Sequence, residues 1–111
     1  MKDKDFKLGQ EDIKELISPM GYGFVSDKVT IEGLPIGYMF RETPQDKQDS
    51  GWRFFSGTED DQYMENDENI EVFDVNIIAN FDKAIIPYLD APLQTDWERV
   101  DGTDTFEMIT D

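Results

Sequence analysis

Seven carboxylates stand from Glu59 to Glu71 with no base among them. Calcium takes six to eight oxygen ligands, so this run is the first place to look for a cation site. An EF-hand loop sets acids or amides at positions 1, 3 and 5, glycine at 6 and glutamate at 12. Asn66 and Glu68 do not build that register, and no glycine follows them. No metal site is expected. The run reads as a solvated acidic face or as a surface that meets a basic partner. Paired carboxylates could also serve glycoside hydrolysis, one of them raised in pKa by an apolar pocket. With 26 acids in the chain, some pair always lies at a workable distance, so spacing carries no weight. The chain has neither His nor Cys. That removes thiolate chemistry, the Ser-His-Asp triad and the side chain best placed to move protons near neutral pH. We therefore expect no enzyme, no catalytic residue and no cofactor.

The sharpest local pattern is Asp49-Ser50-Gly51-Trp52-Arg53, with Arg41 upstream. Asp49 and Ser50 can bond their own backbone to close a turn. Gly51 permits a positive φ or the close approach of another chain. A buried Trp52 needs an acceptor for its indole N–H. Arg41 and Arg53 are scarce bases in an acidic chain, and each is expected to pair with a carboxylate, as a buried guanidinium must. These residues read as a structural motif, a packed turn leading into a core strand.

The elements that position these groups follow from periodicity. Ile13, Leu16, Ile17 and Met20 fall at helical spacing, which predicts a helix from Gln10 that ends at Pro19 and Gly21. Gly23–Ser26 reads as a short strand. In 35–41, Ile36, Tyr38 and Phe40 alternate with Gly37, Met39 and Arg41, and the first set is the more apolar face. Gly51–Ser56 carries large apolar groups on both faces, Trp52 and Phe54 against Arg53 and Phe55, which predicts a central strand. Thr58 is the expected N-cap of a short helix reaching toward Asn66, anchored by Tyr63 and Met64. Ile70–Phe73 is a strand, with a strand running on to Ile78 as the competing assignment. Asp74 and Asp82 each cap a helical turn. The arms 95–100 and 105–109 flank the turn Asp101-Gly102-Thr103-Asp104 and form a hairpin anchored by Trp97 and Phe106. The expected architecture is α+β: an N-terminal helix packed on a twisted, mainly antiparallel sheet with short helical turns. One domain is expected over residues 10–111, with residues 1–9 frayed.

The formal net charge is −16. A field of that sign repels nucleic acid and anionic membranes and speeds the approach of a basic partner. No apolar run approaches the length of a membrane span, and the start Met1-Lys2-Asp3-Lys4-Asp5 lacks the apolar stretch of a secretory signal.

Together the residues resemble a known family. The order Gly37–Glu42, Asp49–Phe54, Ser56-Gly57-x-Glu59 and Tyr63-Met64 is similar to the bacterial immunity proteins of polymorphic toxin systems, immunity family thirty-three, formerly a domain of unknown function. Downstream, Asn80-x-Asp82, Ile85–Leu89 and Pro92 continue the likeness, which runs from about Phe24 to Arg99. It departs from the family pattern just after Pro92, where a glycine is expected and Leu93-Gln94 stand. The resemblance implies a cytoplasmic protein that binds and blocks a cognate toxin. The expected partner-binding face is Glu59, Asp60, Asp61, Glu65, Asp67 and Glu68, with Tyr63 as its aromatic anchor. The alternative is a small acidic ligand- or calcium-binding module of unknown role.

Overall fold

The structure, a computed structural model, describes residues 4–110. The first three positions of the expected frayed segment lie outside the described residues. Six strands form one mixed sheet: β1 (Tyr22–Ser26), β2 (Tyr38–Arg41), β3 (Asp49–Phe55), β4 (Ile70–Asp74), β5 (Thr95–Arg99) and β6 (Phe106–Met108), in the order β4-β1-β3-β2-β5-β6. β1 runs parallel to β3, and the remaining neighbours are antiparallel. Three short α-helices, α1 (Asp27–Thr30), α2 (Asp61–Met64) and α3 (Val75–Phe81), connect them, with a 3-10 stretch at Lys83–Tyr88.

The expected α+β architecture, with an N-terminal helix packed on a mainly antiparallel sheet, is overturned. The N-terminal region holds only a 3-10 turn, Gln10–Asp12. The stretch between Gly9 and Pro19 is shorter than the roughly 12 residues that a helix needs to stand on its own propensity. Its backbone is satisfied from elsewhere. The Asn76 carboxamide of α3 accepts from the Leu16 and Ile17 amides at 2.7 and 3.1 Å and donates to the Lys14 carbonyl. One turn on, Asn80 accepts from the Lys14 amide and donates to the same carbonyl. Two asparagines at i and i+4 thus act as a surrogate strand edge, and Leu16, Ile17 and Met20 pack on the core from an irregular backbone. Nearer the start, the Lys4 ammonium pairs with Asp27 and Glu71, and Phe6 meets Phe73 edge-on.

The core lies on one side of the sheet. Val25, Met39, Trp52 and Phe54 face Val75, Ile78 and Ala79 of α3 and Ile85 and Leu89 of the 3-10 stretch. β3 is central, buried from Asp49 to Phe54. The side chain expected on the solvent side of β2 is the one that is buried: Met39 is fully enclosed, whereas Tyr38 and Phe40 are half-buried on the opposite face. Alternation identifies two faces, but the placement of α3 decides which is covered.

Local signals placed several elements correctly. Asp74 caps α3 through the Asn76 amide, and Asp82 caps the 3-10 stretch through Ala84. Asp60, rather than Thr58, caps α2, accepting from the Tyr63 amide at 2.7 Å. β5 and β6 form the hairpin around 101–104. After Pro92, where the resemblance led to an expected glycine, Gln94 adopts φ 67, the one non-glycine with positive φ among the described residues. A residue with a side chain thus carries the strain of the turn, with Gln94 bonded through its amide to the Arg41 carbonyl and through its carboxamide to Thr43.

Candidate functional site

On the face opposite α3, β2 and β3 set three aromatic rings side by side. Tyr38 and Phe40 point the same way from β2, and register places them opposite Phe55 and Arg53 of β3. The ring centroids of Tyr38, Phe40 and Phe55 lie 5.8–6.3 Å apart, in stacked or tilted pairs. These rings floor an open groove of about 820 Å³. One wall is Thr58 and Glu59, which precede α2, together with Met64 at its end, and the other is Glu98, Arg99, Asp101 and Gly102 of the hairpin. Pro35, Gly37, Ser56 and Gly57 close the end. Closure there depends on glycine: a Cβ on Gly37 would sit 2.3 Å from the Ser56 carbonyl oxygen, so no other residue lets the strands meet so closely.

The rim is acidic. Glu59 folds back on the Ser56-Gly57 turn, accepting from the Ser56 amide and hydroxyl at 2.8 Å and from the Gly57 amide at 2.9 Å. Burial alone would raise its pKa, but hydrogen bonds from the Ser26 hydroxyl and from Ser56 outweigh it and hold the group below the usual carboxylate range. The family-like Ser-Gly-x-Glu sequence is thus a turn that pins a charged carboxylate at the groove edge. Glu98 lies across from Tyr38 on the same face, and Asp96 accepts from the Tyr38 hydroxyl at 3.3 Å. Burial and then Asp96 push the Tyr38 phenol up. The base on the wall, Arg99, is already paired with Asp82 and Asp104 and lies over Phe106.

The residues expected to meet a partner divide. Asp61, Glu65, Asp67 and Glu68 are exposed on and after α2, and none of them lines the groove. Asp60 is exposed but serves as a cap, and Glu59 is half-buried in its turn. Tyr63 is half-buried with the Lys28 ammonium 5.2 Å over its ring, so it ties α2 to the domain, while Met64, 40% exposed, lines the groove. Among the described residues, no three carboxylates come together as a metal cluster.

The motif from Asp49 to Arg53 lies beside the floor, with Arg53 on the same face of the sheet as Phe40 and Phe55. Arg53 is buried, with Nη1 and Nη2 on the two oxygens of Asp49 at 2.9 and 2.8 Å and Nε on Glu42 at 2.6 Å. Its guanidinium lies 4.1 Å from the Phe24 ring centroid. The Arg53 hydrogen bonds, more than offsetting burial, lower the Asp49 pKa to about 2. The Ser50 hydroxyl donates to the Tyr22 carbonyl and accepts from the Trp52 amide. Gly51, at φ 87, passes so close to Glu42 that a Cβ would lie 2.3 Å from its carbonyl oxygen. The Trp52 indole donates to the Leu89 carbonyl at 3.0 Å. Arg41 departs from expectation: it reaches no carboxylate among the described residues, and donates instead to the carbonyls of Ser50 and Ala91 while lying over the Trp52 ring. Carbonyl dipoles and a ring face together do the work of a counter-ion.

Tyr38, Phe40 and Phe55 were legible as a patterned strand pair but not as a surface, because the choice of face comes from α3. Their apolar floor and charged rim suit the holding of a partner group by area, ring face and charge. The sequence profile of the Immunity protein Imm33 domain matches residues 23–110, a span that includes every residue of the groove. The chain belongs to that family. No curated protein and no solved structure matches it.

Proposed function

We propose that this member of the Imm33 immunity family neutralises a cognate bacterial toxin by binding it stoichiometrically, in the cytoplasm and without catalysing a reaction. The observation that carries this reading is the family match over residues 23–110. The groove supports a binding role: three half-buried rings on a rigid central strand pair offer an aromatic anchor, and aromatic side chains dominate the energetics of protein interfaces. The net charge of −16 supports a basic partner, whose encounter it accelerates. Basic clefts of toxins that act on phosphates are surfaces of this kind.

The test is co-expression with a candidate toxin domain, sought among the neighbouring genes, followed by mixing of the purified proteins. The expected result is restored growth and a 1:1 complex. A chain that neither protects nor binds refutes the reading. Saturable micromolar binding of calcium, without protection, would instead favour the ligand-module alternative.

A further inference from the structure

We propose that the groove over Tyr38, Phe40 and Phe55 is a receptor for an arginine side chain presented by a cationic loop of the partner. This rests on the immunity reading for the identity of the partner, but not for the chemistry. The protein uses the same chemistry on the same face. There the Arg53 guanidinium lies 4.1 Å from the Phe24 ring centroid, with its N–H groups on Asp49 and Glu42. Phe40 is the register neighbour of Arg53, so the face reads ring, guanidinium, ring across three adjacent strands. Beyond Phe40 the pattern is interrupted. Tyr38, Phe40 and Phe55 stack on one another, and among the described residues no cation lies over any of them.

The rim supplies the counter-charge. Glu98 and Glu59 stand on opposite walls, and the one wall base, Arg99, is already neutralised by Asp82 and Asp104. A guanidinium over the rings can therefore meet ring faces below and carboxylates at its edge. Arginine is favoured over lysine because its planar, weakly hydrated head stacks on rings and bonds carboxylates in a fork. A purely apolar occupant would leave these carboxylates facing an uncharged neighbour and gain nothing from them.

The test uses the whole chain and three short peptides, otherwise uncharged, that differ at one central residue: arginine, its uncharged isostere citrulline, or lysine. Binding is followed by chemical shifts in two-dimensional NMR at low salt. Arginine is expected to shift the Tyr38, Phe40, Phe55 and Met64 resonances in a saturable way. Citrulline is expected to bind at least about two- to fivefold more weakly, the worth of the surface cation–ring contact it cannot make, with lysine in between. Glu98→Gln should weaken the arginine peptide and leave the fold intact. Phe40→Leu should abolish its preference over citrulline, and if that variant does not fold, Glu98→Gln and the peptide series still decide. Equal binding of citrulline, shifts outside the groove, or no shift at millimolar peptide overturns the proposal. The toxin assay separates the two readings. If wild type fails to protect, the immunity reading falls while the peptide result stands. If both variants lose the peptide yet protect fully, the arginine receptor is not where the toxin docks.

Discussion

The Asp49–Arg53 pair lends itself to a quantitative test. Asp49→Asn keeps the size of the side chain and one acceptor oxygen but removes the charge. Both partners are out of solvent, with side chains 0% and 2% exposed, so screening by water does not weaken the pair. The Asp49 pKa falls from 3.8 to about 2 on folding, and each pKa unit is worth ~1.4 kcal/mol, so its ionised form contributes about 2–3 kcal/mol. Removing one member also leaves a buried guanidinium short of charge, a change that costs about 3–5 kcal/mol where no second carboxylate exists. Here Glu42 remains at 2.6 Å, half-exposed, which places the expected loss at about 3 kcal/mol, the low end of that range. The sign with pH is fixed: the folded pKa is the lower one, so the stabilisation is complete above about pH 4 and lost as pH falls toward 2. About half of the ionisation part should remain near pH 3. Urea denaturation of wild type and Asp49→Asn at pH 7, 4 and 3 measures this directly. A difference below about 1 kcal/mol at pH 7, or one that does not narrow by pH 3, would refute the assignment of the pair as a net stabilising, charge-dependent clamp.

Other substitutions probe the remaining elements. Trp52→Ala empties the centre of the core and breaks the indole bond to Leu89, and should cost about 3–5 kcal/mol in denaturant; an unchanged midpoint would show that the strand is not central. Asn76→Ala strands the Leu16 and Ile17 amides and should cost about 1–3 kcal/mol, with hydrogen exchange at those two amides rising far more than in β3. Uniform acceleration across the domain would show that residues 13–20 do not detach locally. Reversing Asp61, Glu65 and Asp67 to lysine should slow association with the toxin several-fold and flatten its salt dependence, with the fold unchanged. Binding kinetics at two salt concentrations are the check, and an unaltered association rate would take this face out of the encounter.

What was legible in the sequence was local. Trp52 and Phe54 alternate with Arg53 and Phe55, and β3 is central. Asp74 and Asp82 announce their caps, and the residues at 101–104 announce their turn. What was not legible depended on distant partners. The stripe from Ile13 to Met20 has helical spacing, yet the hydrogen bonds that decide its backbone come from Asn76 and Asn80, some 60 residues away. The parallel pairing of β1 and β3 places β3 beside a strand that precedes β2, which no nearest-neighbour argument anticipates. The groove was missed for the same reason. Nothing local distinguishes a Tyr38–Phe40 face that meets solvent from one that meets a helix, and α3, which settles it, is built from residues 75–81.

The groove's two parts differ in how much sequence change they tolerate. Its floor rests on strands whose backbones are locked together at Gly37 and Gly51, where a single added carbon collides with a carbonyl oxygen. Its walls are reached from a short helix and a hairpin, where Thr58, Met64, Glu98, Asp101 and Gly102 are exposed. Changes at such exposed positions usually alter stability by no more than about 0.5 kcal/mol. Single substitutions can therefore reshape the walls, and with them what the groove accepts, while the frame beneath stays fixed.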